Sequence, residues 1–133
     1  MVLILNKKIE VRESPIHGYG VFATEDIEPG EILEECHVII FPNMITLTPI
    51  SVLNDYGFRW PGANNAIPLG TGCIYNSSPN NNATYTNDLN RQLIIFTAVK
   101  PIKKGEEICT NYEASIKKGK QLKQQMKQTF NIS

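Results

Sequence analysis

Gly72-Cys73-Ile74-Tyr75-Asn76-Ser77-Ser78-Pro79-Asn80-Asn81-Asn82-Ala83 starts as an apolar run and then breaks into seven consecutive Asn, Ser and Pro residues. The run Cys73-Ile74-Tyr75 predicts a strand that delivers Asn76 to the base of an irregular loop. A buried amide there must satisfy donors on one end and an acceptor on the other. Asn76 therefore either ties its own loop or meets a ligand. The serines do not fit a hydrolase: a nucleophilic serine wants a strained turn such as Gly-x-Ser-x-Gly, and Ser77-Ser78 sits in Asn-Ser-Ser-Pro.

On either side of this stretch, short apolar runs recur at residues 2–5, 21–23, 32–33, 38–41 and 93–99, punctuated by Gly, Pro and Asn. That pattern predicts a mainly β chain. Asp26-Ile-Glu-Pro-Gly-Glu and Lys100-Pro-Ile-Lys-Lys-Gly-Glu-Glu are alike, each placing a turn directly before a short strand. Residues 60–69 and 76–90, rich in Pro, Gly and Asn, are expected to be irregular loops of the kind that carry function. Thr48 as N-cap and Pro49 at the first position predict a short inserted helix ending near Gly57. After Tyr112 the composition turns to Lys and Gln, with Leu122, Met126 and Phe130 at helical spacing. The expected organisation is a core over residues 1–112 and a basic amphipathic helix over 113–133 that closes the site or packs on the core.

The 133 residues suffice for one ordinary domain. Thirteen basic and thirteen acidic side chains cancel, which removes the electrostatic case for a sequence-independent nucleic-acid binder. The charges are unevenly spread. Residues 1–35 carry three basic and eight acidic side chains, whereas the chain from Lys100 onward carries eight lysines and three glutamates. The acidic part suits a cationic ligand, or the two ends attract each other. Apolar runs are strand-sized, too short for a membrane helix, and Met1 to Leu5 lacks the order of a signal peptide. Three scattered cysteines without a Cys-x-x-Cys pair suggest reduced, intracellular thiols and no metal site.

Gly18-Tyr19-Gly20 removes two Cβ atoms where a backbone must turn tightly or approach a ligand. Tyr19 between them is either a surface turn residue or a flank for a bound group. His17 and His37 have no partner at metal-binding spacing. Glu34 and Glu35, adjacent on a predicted strand, should point to opposite faces, one exposed and one partly buried; a buried one could bind a substrate cation. Tyr112, at the end of the Glu107-Ile-Cys-Thr strand, is by itself ordinarily a core tyrosine with its hydroxyl bonded.

Taken in order, Ser14-Pro-Ile-His-Gly-Tyr-Gly-Val-Phe-Ala23, Gly72 to Ala83 and Ile102-Lys-Lys-Gly-Glu-Glu-Ile-Cys-Thr-Asn-Tyr112 resemble the motifs of a SET-domain protein lysine methyltransferase. The likeness covers about residues 9–112 and is greatest to the minimal viral-type SET proteins. It implies a fold of several small sheets in which the C-terminal strand region threads past the Asn76 loop in a knot-like way. It further implies methyl transfer from S-adenosylmethionine to a lysine of a protein substrate, such as a histone tail in chromatin. Tyr112 would be the active-site phenol, and Gly18, Tyr19, Gly20, Asn76 and Ser77 would bind the cofactor. Tyr56, Tyr19 and Thr110 would wall the lysine channel. Where the family has Asn-His-Ser, this chain has Asn76-Ser77-Ser78; main-chain groups, which any residue supplies, make much of the contact there. The expected partner is a basic, lysine-containing peptide, with neither nucleic acid nor membrane, and a homodimer is one way to complete the site. The expected location is intracellular: the nucleus in a eukaryote or its virus, otherwise the cytoplasm or a host cell. The competing function is a catalytically silent module that keeps the fold and a peptide groove.

Overall fold

The computed structural model describes residues 2–42 and 56–112. The expected helix from Thr48 falls outside the described residues except at its end, and the expected helix over 113–133 lies wholly outside them. Nine strands run through the described residues: β1 (Ile9–Glu13), β2 (Tyr19–Ala23), β3 (Ile32–Pro42), β4 (Phe58–Trp60), β5 (Asn64–Pro68), β6 (Asn76–Ser77), β7 (Ala83–Asp88), β8 (Leu93–Ala98) and β9 (Glu107–Thr110). The chain forms two compact units, one of Met1–Val38 with Pro68–Asn111 and one of Ile39–Ile67 with Tyr112–Ser133.

In the first unit, β1 and β2 pair antiparallel from Ile9↔Ala23 to Glu13↔Tyr19. The other edge of β2 pairs antiparallel with β9, and β9 pairs parallel with β6, giving the order β1-β2-β9-β6. Four successive β2 residues, Gly20 to Ala23, are buried, as expected of a strand covered on both faces. A second antiparallel group joins β3 to β8 and β8 to β7. Its core is aromatic: Phe96 of β8 stacks on Tyr75 with centroids 4.4 Å apart and packs obliquely on Tyr85 at 5.9 Å. The two similar turns meet through a bridge between Ile27 and Ile102, both buried. Gly30 N–H donates to Ala98 O and Gly105 N–H to Ala23 O, each at 2.8 Å, so each turn fastens to a neighbouring strand.

In the second unit, β4 and β5 form a hairpin with register Phe58↔Ala66 to Trp60↔Asn64. Residues 60–69 are thus largely a hairpin, where the sequence suggested a loop. Likewise the 76–90 stretch contains β6 and the six-residue β7. In both places a ladder satisfies the backbone whatever the side chains are, and along β7 the threonines face outward: Thr84 and Thr86 are exposed while Ala83 is buried. The reverse holds at Cys73-Ile74-Tyr75, a turn rather than a strand, closed by Ile74 N–H donating to Thr71 O at 2.9 Å.

Glu34 and Glu35 are both buried, contrary to the expected exposed-and-buried pair. Each face of β3 supplies partners. Glu34 accepts from Tyr75 Oη at 2.9 Å, from Thr71 N–H at 2.8 Å and from the Thr71 hydroxyl. Glu35 pairs with Arg91 at 2.9 Å and accepts from Ile4 N–H at 3.0 Å, because the segment around Leu5 lies antiparallel against β3. Both carboxylates are engaged internally, so neither is an open site for a substrate cation.

The three thiols are free; Cys36 and Cys109 are buried and Cys73 is half-buried. Burial pushes Cys73 up to about 11, and burial with the nearby Glu107 carboxylate pushes Cys109 up to about 11. Cys36 is raised by burial and then by the Glu34 carboxylate. At pH 8 a thiol-specific reagent should therefore label the folded chain about a hundredfold more slowly than the urea-unfolded chain. The sign for stability follows. Unfolded thiols ionise near their ordinary 9.0 while folded Cys73 and Cys109 hold their protons to about 11, so stability falls as pH rises through that window. Rapid labelling of the folded chain would contradict this burial.

Candidate functional site

Residues from three distant stretches converge on the Asn76 side chain. Its Nδ2 lies 2.7 Å from Glu107 Oε2, 3.1 Å from Ser14 Oγ, 3.1 Å from His17 O and 3.2 Å from Tyr19 O. All four neighbours are acceptors toward this nitrogen, which fixes the amide with its NH2 inward and leaves the Oδ1 acceptor uncommitted among the described residues. Asn76 is only 9% exposed, so this orientation is set in a largely water-excluded place.

The turn that receives Asn76 is built locally. Ser14 N–H donates to Gly18 O at 2.8 Å, while Ser14 Oγ accepts from Ile16 N–H at 3.0 Å and, more weakly, from His17 N–H at 3.5 Å. The same hydroxyl donates to Glu107 Oε1 at 2.7 Å. Gly18 takes φ +49°, and a Cβ built there would meet nothing within 4 Å. Gly20 is the opposite case: a Cβ there would lie 2.3 Å from Glu107 Oε2 and 3.1 Å from Asn76 Nδ2. The second glycine of the Gly-x-Gly turn makes room for the Glu107 carboxylate.

Asn82 secures the other end of the loop. Its Nδ2 donates to Glu107 O at 2.9 Å and its Oδ1 accepts from Cys109 N–H at 2.9 Å, reproducing with a side chain the pairing of a neighbouring strand. Ser78 N–H donates to Thr110 O at 2.8 Å and Asn82 N–H to Cys109 O at 3.2 Å, so the loop from Ser78 to Asn82 is laced along β9. Ser77 pairs with Thr110 through the main chain and is half-buried. Thr110 is fully buried, and its hydroxyl has no hydrogen-bond partner among the described residues.

Among the residues expected at a site, the structure brings Gly18, Tyr19, Gly20, Asn76, Ser77 and Thr110 together in the first unit. Tyr19 is 62% exposed on the outer side of the turn, with room for a bound group against its ring. Tyr56 and Tyr112 belong to the second unit. Tyr56 is exposed, and the half-buried Tyr112 packs edge-on against Phe58, with centroids 6.3 Å apart at 77°. Sequence reasoning missed Ser14, Glu107 and Asn82 as site residues. The signal was present for two of them: Ser14-Pro-Ile-His is a serine-turn sequence, and Asn82 ends a polar run directly before a buried alanine. Among the described residues no three His, Cys, Asp or Glu side chains converge as a metal site, and no helix is long and apolar enough to cross a membrane.

The residues present fit a polar small molecule such as S-adenosylmethionine: an open turn at Gly18, an exposed aromatic ring at Tyr19 and an oriented acceptor at Asn76 Oδ1. Comparison with known proteins bears on the family. A histone-lysine N-methyltransferase of Schizosaccharomyces pombe, specific for lysine 37 of histone H3, is 27% identical over 111 residues, 82% of this chain and 76% of that protein. The crystal structure of a Plasmodium falciparum chain described as a histone methyltransferase superposes with a TM-score of 0.66 at 30% identity, covering 81% of this chain and 95% of that one. A humanized mutant of the Chaetomium thermophilum Polycomb Repressive Complex 2, bound to an inhibitor, matches with a TM-score of 0.63 at 25% identity, covering 80% of this chain and 15% of that one. The SET domain family model matches residues 18–113, well over half of the chain, and the chain belongs to the SET-domain family.

Proposed function

We propose that the chain transfers a methyl group from S-adenosylmethionine to a lysine side chain of a basic protein segment, with a histone tail as the foremost acceptor. It is a protein-lysine N-methyltransferase. One observation carries the reading: the four-way hold on Asn76 draws the Gly18-Tyr19-Gly20 turn, the Asn76 loop and the Glu107 strand into one place. A silent interaction module has no need of an amide oriented in this way beside an open aromatic turn. S-adenosylmethionine supplies an electrophilic methyl group carried on a sulfonium.

The protein's own residues bind, orient and exclude water. Main-chain groups of Gly18, Tyr19 and Ser77, together with Asn76 Oδ1, hold the polar parts of the cofactor. The SET resemblance assigns Tyr19 and Thr110 of the first unit and Tyr56 of the second to the lysine channel, and gives the Tyr112 hydroxyl the task of orienting the attacking amine. The amine must be neutral to attack. Desolvation in the channel beside a positive charge lowers its pKa, so no dedicated strong base is required. Alignment of the reacting groups is worth roughly 7–11 kcal/mol in favourable cases, which makes positioning the main task of these side chains. A histone acceptor would place the activity in the nucleus.

Calorimetric titration of the purified chain with S-adenosylmethionine and with S-adenosylhomocysteine tests the reading without an acceptor. Saturable binding at about micromolar dissociation constants is the expected result, a free energy near −8 kcal/mol. Radiolabel transfer to basic peptides, histone H3 tails first, should follow. A folded chain that binds neither ligand would overturn the reading.

A further inference from the structure

A half-buried carboxylate in this site is not absorbed by the proposed chemistry. Among the described residues Glu107 has no cationic partner: the ion pairs there are Lys8–Glu31, Arg12–Glu10, Arg91–Glu35 and Arg91–Asp88. Instead its two oxygens accept from two neutral donors, Ser14 Oγ–H at 2.7 Å on Oε1 and Asn76 Nδ2–H at 2.7 Å on Oε2. Gly20 leaves the space that the carboxylate occupies. We infer that Glu107, braced by Ser14, is a positioning residue that keeps the Asn76 amide from flipping and so presents Oδ1 to a hydrogen-bond donor on the cofactor.

With a carboxylate at position 107, every neighbour of the Asn76 nitrogen accepts, and a flipped amide would set Oδ1 against Glu107 Oε2, His17 O and Tyr19 O. Charge-assisted bonds are the stronger kind, and a carboxylate holds this orientation more firmly than a neutral acceptor can. An isosteric Glu107→Gln breaks the pattern. Both carboxylate oxygens accept, so the new NH2 must face either the Ser14 hydroxyl or the Asn76 nitrogen, and one of the two donors loses its partner.

This inference rests on the reading that the site binds S-adenosylmethionine, and the test separates the two. The ligand donor is an N–H group, either the ammonium of the amino-acid end or the exocyclic amine of the base. Three probes distinguish them: S-adenosylhomocysteine, 5′-methylthioadenosine, which lacks the ammonium, and S-inosylhomocysteine, which lacks the exocyclic amine. Each is titrated into the wild type and Glu107→Gln, with Ser14→Ala as a second variant should Glu107→Gln fail to fold.

Glu107→Gln should weaken S-adenosylhomocysteine about tenfold, and Ser14→Ala about threefold, with near-native circular dichroism. For the analogue that lacks the donor facing Asn76, the penalty should shrink to about twofold or less. An equal penalty on all three ligands means that the carboxylate acts only on general structure, and overturns the inference. So does unchanged affinity in a variant whose wild type binds. Absence of binding by the folded wild type instead overturns the proposed function, and this inference with it.

Discussion

Replacing Tyr112 with phenylalanine is expected to lower methyl transfer by about 100-fold or more while leaving the melting temperature and S-adenosylhomocysteine affinity close to wild type. The variant removes one oxygen atom and keeps the ring. The ring holds the packing, edge-on against Phe58 at 77°, an arrangement that phenylalanine reproduces. The proposed task of the hydroxyl is to orient the amine in the reacting complex, a contact absent from the free protein. An interaction made only as reaction proceeds should appear in kcat rather than in cofactor binding. Transfer within about threefold of wild type would remove Tyr112 from the mechanism, and loss of folding would assign it to the core.

Gly20→Ala should cost about 3 kcal/mol of stability and abolish measurable cofactor binding together. The added methyl would sit 2.3 Å from Glu107 Oε2 and 2.9 Å from its Cδ. A glutamate tip at a surface would swing aside at little cost. This one is held by the Ser14 hydroxyl and the Asn76 amide, so moving it surrenders two short hydrogen bonds to a charged group, each worth about 1.5–3 kcal/mol, offset in part by rehydration. Urea unfolding of the variant and its titration with S-adenosylhomocysteine measure both effects. A variant as stable as wild type would show that the carboxylate has another resting place, and would weaken the case that Gly20 exists for Glu107.

The strands that alternate or run apolar, β2, β3 and β8, are legible because their side chains announce burial. The hairpin of β4 and β5 and the strand β7 are not, because their Asn and Thr residues break the apolar alternation and carry no periodic signal, although the pairing partners are close in sequence. Glu34 and Glu35 illustrate the same limit. Alternation places them on opposite faces, but only the folded chain brings Tyr75 to one and Arg91 to the other. At the site, the motif order identifies Asn76 and the glycine turn. Which glycine faces open space and which faces Glu107 depends on contacts 93 residues apart, such as Ser14 to Glu107, that no local pattern encodes.

The lacing of β9 bears on the order of assembly. β9 is bonded to β2 along one side, to β6 on another and to the Asn82 side chain besides, and each of these partners precedes it in the chain. A ribosome must therefore release almost the entire described sequence before Glu107 can meet Ser14 and Asn76. Contacts of such sequence separation place folding toward the slow end of the range for small domains, milliseconds to seconds. Until β9 is seated the Glu107 carboxylate cannot meet the Asn76 amide, so that contact marks the late assembly of the described sequence.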